Sequence, residues 1–139
     1  MKRALLALLL FVALTGLAAL DITSTEVGGD WDVSTTWIGG TVPGYGDNVT
    51  IQGPVLTAYV SCANLYVTDR GSLLNKPSQN GQLYVSGLLA NNGTIAKNST
   101  GNLFVLIASQ MHNAGVFTPN DLNLQGGASH YLTGTSPYG

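Results

Sequence analysis

From Asp47 onward, apolar and polar positions alternate in short runs broken by Gly and Asn, and no stretch keeps a helical period. Runs of this kind predict strands. Five read alike: DNVTIQG at 47, ANLYVTDRG at 63, GQLYVSG at 81, GNLFVLIAS at 101 and NDLNLQGG at 120. Between their first apolar residues, Val49, Leu65, Leu83, Leu103 and Leu122, the steps are 16, 18, 20 and 19 residues, a repeat of about nineteen. A second series is interleaved with it: GSLLN at 71, NNGTIA at 91 and NAGVFT at 113, whose glycines Gly71, Gly93 and Gly115 stand 22 residues apart.

Two interleaved strand series of similar period are what the coils of a parallel β-helix produce. One coil cannot bury its inward side chains alone, whereas stacked coils place Leu65, Leu83, Leu103 and Leu122 above one another as an apolar column. Asn64, Asn102 and Asn123 sit beside the strand runs. Asn75, Asn91, Asn92 and Asn113 sit at the bends, where Asn tolerates left-handed backbone and can hydrogen-bond along a stack. The expected fold is all-β, a right-handed parallel β-helix of four to five coils over 47–139, preceded by an N-terminal cap over 19–46. An antiparallel β-sandwich is the alternative, since it also uses short strands and frequent turns.

The first residues change the picture of where the protein works. Lys2 and Arg3 precede the apolar run ALLALLLFVALTGLAAL, and Gly16 and Ala18 are small. That order predicts a secretory signal peptide over 1–18 and a secreted or cell-surface protein with no retained membrane span; a retained anchor is the other reading of the same run. Of five basic residues, loss of Lys2 and Arg3 leaves three against seven acidic ones, a net charge of −4. Nucleic acid is excluded as a partner on that balance, because phosphate binding needs clustered Lys and Arg. Cys62 is the single cysteine, and its neighbourhood AYVSCANLYV predicts a buried packing residue.

Both tryptophans of the chain, Trp31 and Trp37, fall six residues apart just before the first clear strand. They suit the N-terminal opening of the solenoid, because an indole buries a large area while its N–H still reaches a polar partner. GGTVPGYGD then supplies a turn-rich connection, and Trp31, Trp37, Pro43 and Asp47 are the expected structural cap.

The stretch GDWDVSTTWIGGTVPGYGDNVTI resembles the opening module of large secreted bacterial surface and adhesin-like proteins built on right-handed β-helices. It is similar also to the start of the extracellular eight-glycine domain. Trp31, Trp37, Gly39, Gly40, Val42, Pro43, Gly46 and Asp47 carry the resemblance, which implies an exported β-helix and no particular activity. The chain departs from that pattern at Asp32-Val33-Ser34, where such modules often have Asp-Pro. It also reaches HYLTGTSPYG without the sorting domain common in such proteins, so a truncated chain and a different attachment are both open.

Candidate chemistry is sparse. A polysaccharide lyase or hydrolase on this scaffold needs gathered carboxylates. Five of the seven acidic residues precede residue 50, and Asp69 and Asp121 are expected at corresponding strand ends three coils, roughly 14 Å, apart. No catalytic residue, cofactor or metal site is therefore assigned. His112 and His130 lack companions for a metal, and Asp30, Asp32 and Asp47 read as turn-capping residues rather than a calcium loop. Asn48, Asn92 and Asn98 open N-glycosylation patterns of a kind that chance supplies in an Asn- and Thr-rich chain. Tyr66, Tyr84 and Phe104 each follow an inward leucine, so alternation turns them outward as an aromatic stripe able to stack on sugar rings. The function expected is a non-catalytic surface domain for structural display or for contact with cells or glycans. The alternatives are a polysaccharide-binding module, a subunit that self-stacks or continues through its C-terminal end, and, least favoured, a lyase or hydrolase fragment.

Overall fold

The structure, a computed structural model, describes residues 18–125 and the backbone of 129–132. The first turn holds β1 (Asp21–Thr23), β2 (Gly29–Asp30) and a 3-10 turn over Ser34–Thr36. Four turns of three strands follow. They are β3 (Asn48–Ile51), β4 (Pro54–Thr57) and β5 (Tyr59–Cys62); β6 (Asn64–Val67), β7 (Ser72–Asn75) and β8 (Gly81–Val85); β9 (Leu88–Asn91), β10 (Thr94–Ala96) and β11 (Leu103–Ile107); and β12 (Gln110–Asn113), β13 (Val116–Thr118) and β14 (Asp121–Leu124). A last strand, β15 (Ser129–Leu132), pairs with β12.

Each strand of a turn joins a different sheet. The first sheet has the order β1-β3-β6-β9-β12-β15, the second β2-β4-β7-β10-β13 and the third β5-β8-β11-β14. Every ladder among the described strands is parallel, which removes the antiparallel sandwich and leaves the right-handed parallel β-helix. The alternation read from the sequence is the reason these runs are strands: β8 and β11 both bury every second residue.

The inward columns differ from those the wording of the repeat suggested. Val49 and Leu65 belong to the first sheet, whereas Leu83, Leu103 and Leu122 belong to the third. Within the third sheet Leu83 lies level with Val105, and Leu103 lies level with Gly81. The columns that form are Ile22, Val49, Leu65, Leu89 and Met111 in the first sheet, Val55, Leu73, Ile95 and Phe117 in the second, and Val60, Leu83, Val105 and Leu122 in the third. Nearly all are fully buried, and each contributes roughly 1.5–3 kcal/mol relative to exposure.

The 22-residue spacing of the glycines is the true length of the central turns. Leu73, Ile95 and Phe117 step by 22, as do Leu83 to Val105 and Leu89 to Met111. A Cβ added at Gly71, Gly93 or Gly115 would lie 2.2 Å from the carbonyl oxygen of Ile51, Gly71 or Gly93 respectively, so successive backbones stack too closely at this corner for any side chain.

Buried amides close the corners that glycine opens. The Asn91 side-chain N–H donates to Asn113 Oδ1 at 2.7 Å and to the Val116 carbonyl at 2.9 Å, and the Gly93 N–H donates to Asn91 Oδ1. At the corner between the second and third sheets, Asn75 donates to the carbonyls of Gln79 and Thr100 and accepts from the Asn98 N–H. An outer ladder runs along the first sheet, where Asn64 donates to Asn48 Oδ1 and Asn48 to Asp21 Oδ1, each at 2.8 Å.

The signal peptide expected over 1–18 lies outside the described residues apart from Ala18, and so does the expected open tail apart from the backbone of β15. Among the described residues, no helix is long and apolar enough to cross a membrane.

Candidate functional site

The third sheet begins one turn later than the other two, and in the first turn residues 31–47 connect β2 to β3 in place of a third-sheet strand. Their apolar part turns inward. Trp31 and Trp37 are 3% and 2% exposed and meet edge to face at 5.0 Å between ring centroids. The Trp37 indole N–H donates to the Trp31 carbonyl at 2.7 Å, and that of Trp31 points to the Pro43 carbonyl at 3.5 Å. The Trp31 backbone N–H donates to the Leu56 carbonyl of β4, and Trp37 forms an antiparallel bridge with Ser24 just after β1, so both tryptophans are tied to the neighbouring backbone.

Asp47 fixes the loop that leads out of this segment. Its Oδ2 accepts from the Gly44 N–H at 2.8 Å, its own N–H donates to the Gly44 carbonyl, and its Oδ1 accepts from the Leu20 N–H at 3.0 Å. This is a short side-chain-closed turn of the kind Asp favours. Asp30 and Asp32 are engaged differently: Lys76, at the end of β7, reaches past one turn to Asp30 at 3.1 Å and Asp32 at 2.8 Å. Lys76 was not singled out in the sequence, where nothing marks it as the partner of residues more than forty positions away.

The Asp47 turn holds Tyr45 outward. Its ring stacks on Tyr84 of β8, with centroids 6.1 Å apart and planes 9° apart. In the axial row to which Tyr84 belongs, the residue one turn earlier is the small Ser61. Beside this pair, Tyr59, Val60, Ser61, Gln82 and Tyr84 line a shallow groove of about 280 Å³ on the outer face of the third sheet. Tyr59 is 73% exposed and Tyr45 62%.

Register sets a second row next to the pair: Tyr59, Gln82, Phe104 and Asp121 lie level in four consecutive turns. At ~4.8 Å per turn, Tyr59 and Phe104 are ~10 Å apart with the Gln82 amide between them. Gln82 and Phe104 alternate with buried neighbours, and Tyr59 and Asp121 are exposed, so all four face away from the core.

The stripe expected from Tyr66, Tyr84 and Phe104 does not form as one row. Tyr66 sits on β6 in the first sheet, level with Thr50 and Ala90. Tyr84 and Phe104 share the third sheet but occupy different rows, Tyr84 level with Leu106 and Phe104 level with Gln82. In exchange, the structure brings Tyr45 and Tyr59 to Tyr84.

Asp69 and Asp121 do not take corresponding positions: Asp69 follows β6 of the first sheet, and Asp121 opens β14 of the third. His112 lies on β12 of the first sheet; His130 lies level with Met111 in the backbone ladder. Among the described residues, no group of three His, Cys, Asp or Glu side chains is gathered that could hold a metal ion. Cys62 is fully buried in the third sheet, where desolvation, and secondarily the charge of Asp47, push its thiol up to about 12.

No family model, no curated protein and no solved structure matches the chain.

Proposed function

We propose that the protein is a non-catalytic, exported β-helix domain of a surface or adhesin-like protein, and that it contacts polysaccharide through the outer face of its third sheet. The observation that carries this reading is the groove between Tyr59 and the stacked Tyr45–Tyr84 pair. Aromatic faces offer flat apolar platforms to the C–H faces of sugar rings, and the Gln82 amide and Ser61 hydroxyl beside them can exchange hydrogen bonds with sugar hydroxyls. A leader-like N-terminus and an opening module resembling those of adhesin-like proteins support export and surface display.

The carboxylates support a structural role over catalysis. Asp30 and Asp32 pair with Lys76, Asp47 closes its turn, and Asp21 ends the outer Asn ladder. Each is already used in holding the first turn.

The test is retention of purified protein on a panel of insoluble polysaccharides, with reducing ends assayed in the supernatant. The combined Tyr59→Ala and Tyr84→Ala changes abolish retention, whereas Tyr66→Ala, on another sheet, preserves it. Unchanged retention of the double variant would sink the groove as the contact site, and steady release of reducing ends would overturn the non-catalytic reading.

A further inference from the structure

We infer that the third-sheet site takes an uncharged, extended polysaccharide laid along the solenoid axis, and that the cap is part of this site because it supplies Tyr45 as one wall. This inference rests on the glycan-contact reading above and adds to it the class of glycan, its direction and a second role for the first turn.

Direction follows from register. Tyr59, Gln82 and Phe104 fall in one axial row, so the two aromatic side chains stand two strand spacings apart, ~10 Å, with an amide midway. An extended β-1,4-linked chain turns each ring over relative to the last and repeats every second ring, on a similar scale. Such a chain lying along the row sets alternate rings on Tyr59 and Phe104 and leaves the ring between them facing the Gln82 amide. A chain lying across the sheet meets no comparable row, because along each strand every second residue points into the core.

The wall follows from the Tyr45–Tyr84 stack. Tyr84 stands two positions along β8 from Gln82 and so flanks the row on the same face. Tyr45 lies against it from the first turn, where the small Ser61 leaves room on the outer surface. The three hydrogen bonds of the Asp47 turn hold that loop before any ligand arrives, which lowers the ordering cost of binding.

Charge selects the class of glycan. The groove residues Tyr59, Val60, Ser61, Gln82 and Tyr84 include no Lys, Arg, Asp or Glu, and the axial row ends at the exposed carboxylate of Asp121. A uronic acid or sulfated chain following the row meets a like charge there and no cation in the groove, whereas a neutral chain meets neither penalty.

Affinity gel electrophoresis tests the inference with two neutral probes, hydroxyethyl cellulose and glucomannan, and two acidic ones, polygalacturonate and alginate. The expected result is retardation by the neutral probes alone, weakened ~10-fold by Tyr59→Ala, by Phe104→Ala and by Tyr45→Ala, and preserved by Tyr45→Phe, which keeps the stacking ring. Tyr45 and Tyr59 are largely exposed, so their variants fold, and unchanged melting temperatures confirm that binding alone was altered. Retardation by the acidic probes as strong as by the neutral ones, or a Tyr45→Ala variant that binds as well as the parent, overturns this inference while leaving glycan contact in place. Failure of all four probes overturns both.

Discussion

The indole N–H of Trp37 donates to the backbone carbonyl of Trp31 at 2.7 Å while the two rings meet edge to face at 74°. One tryptophan thus satisfies a buried carbonyl of the other and packs against its ring. Trp37→Phe keeps most of the apolar contact but leaves the Trp31 carbonyl without this partner, and should cost about 1–3 kcal/mol. Trp37→Ala also leaves a cavity and should cost about 3–5 kcal/mol. Chemical denaturation of the two variants checks the order. Equal losses would mean that the hydrogen bond, not the ring volume, dominates.

A corner glycine should be far less replaceable than a loop glycine. A Cβ at Gly93 would sit 2.2 Å from the carbonyl oxygens of both Gly71 and Thr68, backbone atoms that can move only if two turns part. Gly93→Ala should therefore lose about 3 kcal/mol or more, at the upper end of overpacking costs. At Gly46 nothing lies within 4 Å, and Gly46→Ala should stay within about 0.5 kcal/mol of the parent. Thermal melts of the pair decide it, and a tolerated alanine at Gly93 would contradict the close stacking of this corner.

The same corner explains how much of the fold was legible in the sequence. Glycine at a 22-residue interval is a direct physical signal, because only a missing side chain lets one turn's carbonyl approach the next. The nineteen-residue reading failed for a different reason. NLYV in β6 and QLYV in β8 look like successive copies of one strand, yet they occupy different sheets. All three faces of a solenoid impose the same inward and outward alternation, so similar wording reveals the architecture and not the face. The aromatic stripe carries the same ambiguity: wording sets Tyr66 beside Tyr84, whereas register sets it on another face. Tyr45 reaches Tyr84 across 39 positions, through a turn whose geometry depends on Asp47 and Leu20, and no local pattern announces such a contact.

The Lys76 tether between the first and third turns should give stability a weak dependence on pH at both extremes. The Asp32 carboxyl is held below its ordinary 3.8, chiefly by the hydrogen bond from Lys76, and the Lys76 ammonium is held above its ordinary 10.5, chiefly by the bond to Asp32. A depressed carboxyl binds fewer protons folded than unfolded, so its contribution is full above pH 3.8 and is lost as pH falls through the folded value. A raised ammonium behaves oppositely: its contribution is full below pH 10.5 and is lost as pH rises through the folded value. Asp32 is 70% exposed, so water and salt screen the pair and both limbs should be shallow. Melting temperatures from pH 2 to 12 should fall less steeply at both ends for Lys76→Met than for the parent. Identical profiles would show that the tether adds nothing to the fold.

Cys62 should behave as a core residue and not as a reactive thiol. Its side chain is fully buried in the third sheet, in a column with Val85 and Ile107, and burial is the leading reason that its thiol rises to about 12. Thiol reagents act on the exposed thiolate, so the folded protein should offer neither the species nor the access. Labelling with a disulfide reagent should be negligible in buffer and should rise with denaturant along the same curve as the loss of β-type circular dichroism. Cys62→Val copies the shape of Val85 one turn on and should change stability by less than about 1.5 kcal/mol. Asp47→Asn removes the smaller cause of the raised thiol and leaves the larger one, so the thiol should stay protected wherever the fold persists. Rapid labelling of the native parent would mean that the third sheet opens locally at β5. That strand is the sheet's N-terminal edge, so such opening would also expose the base of the Tyr59 groove.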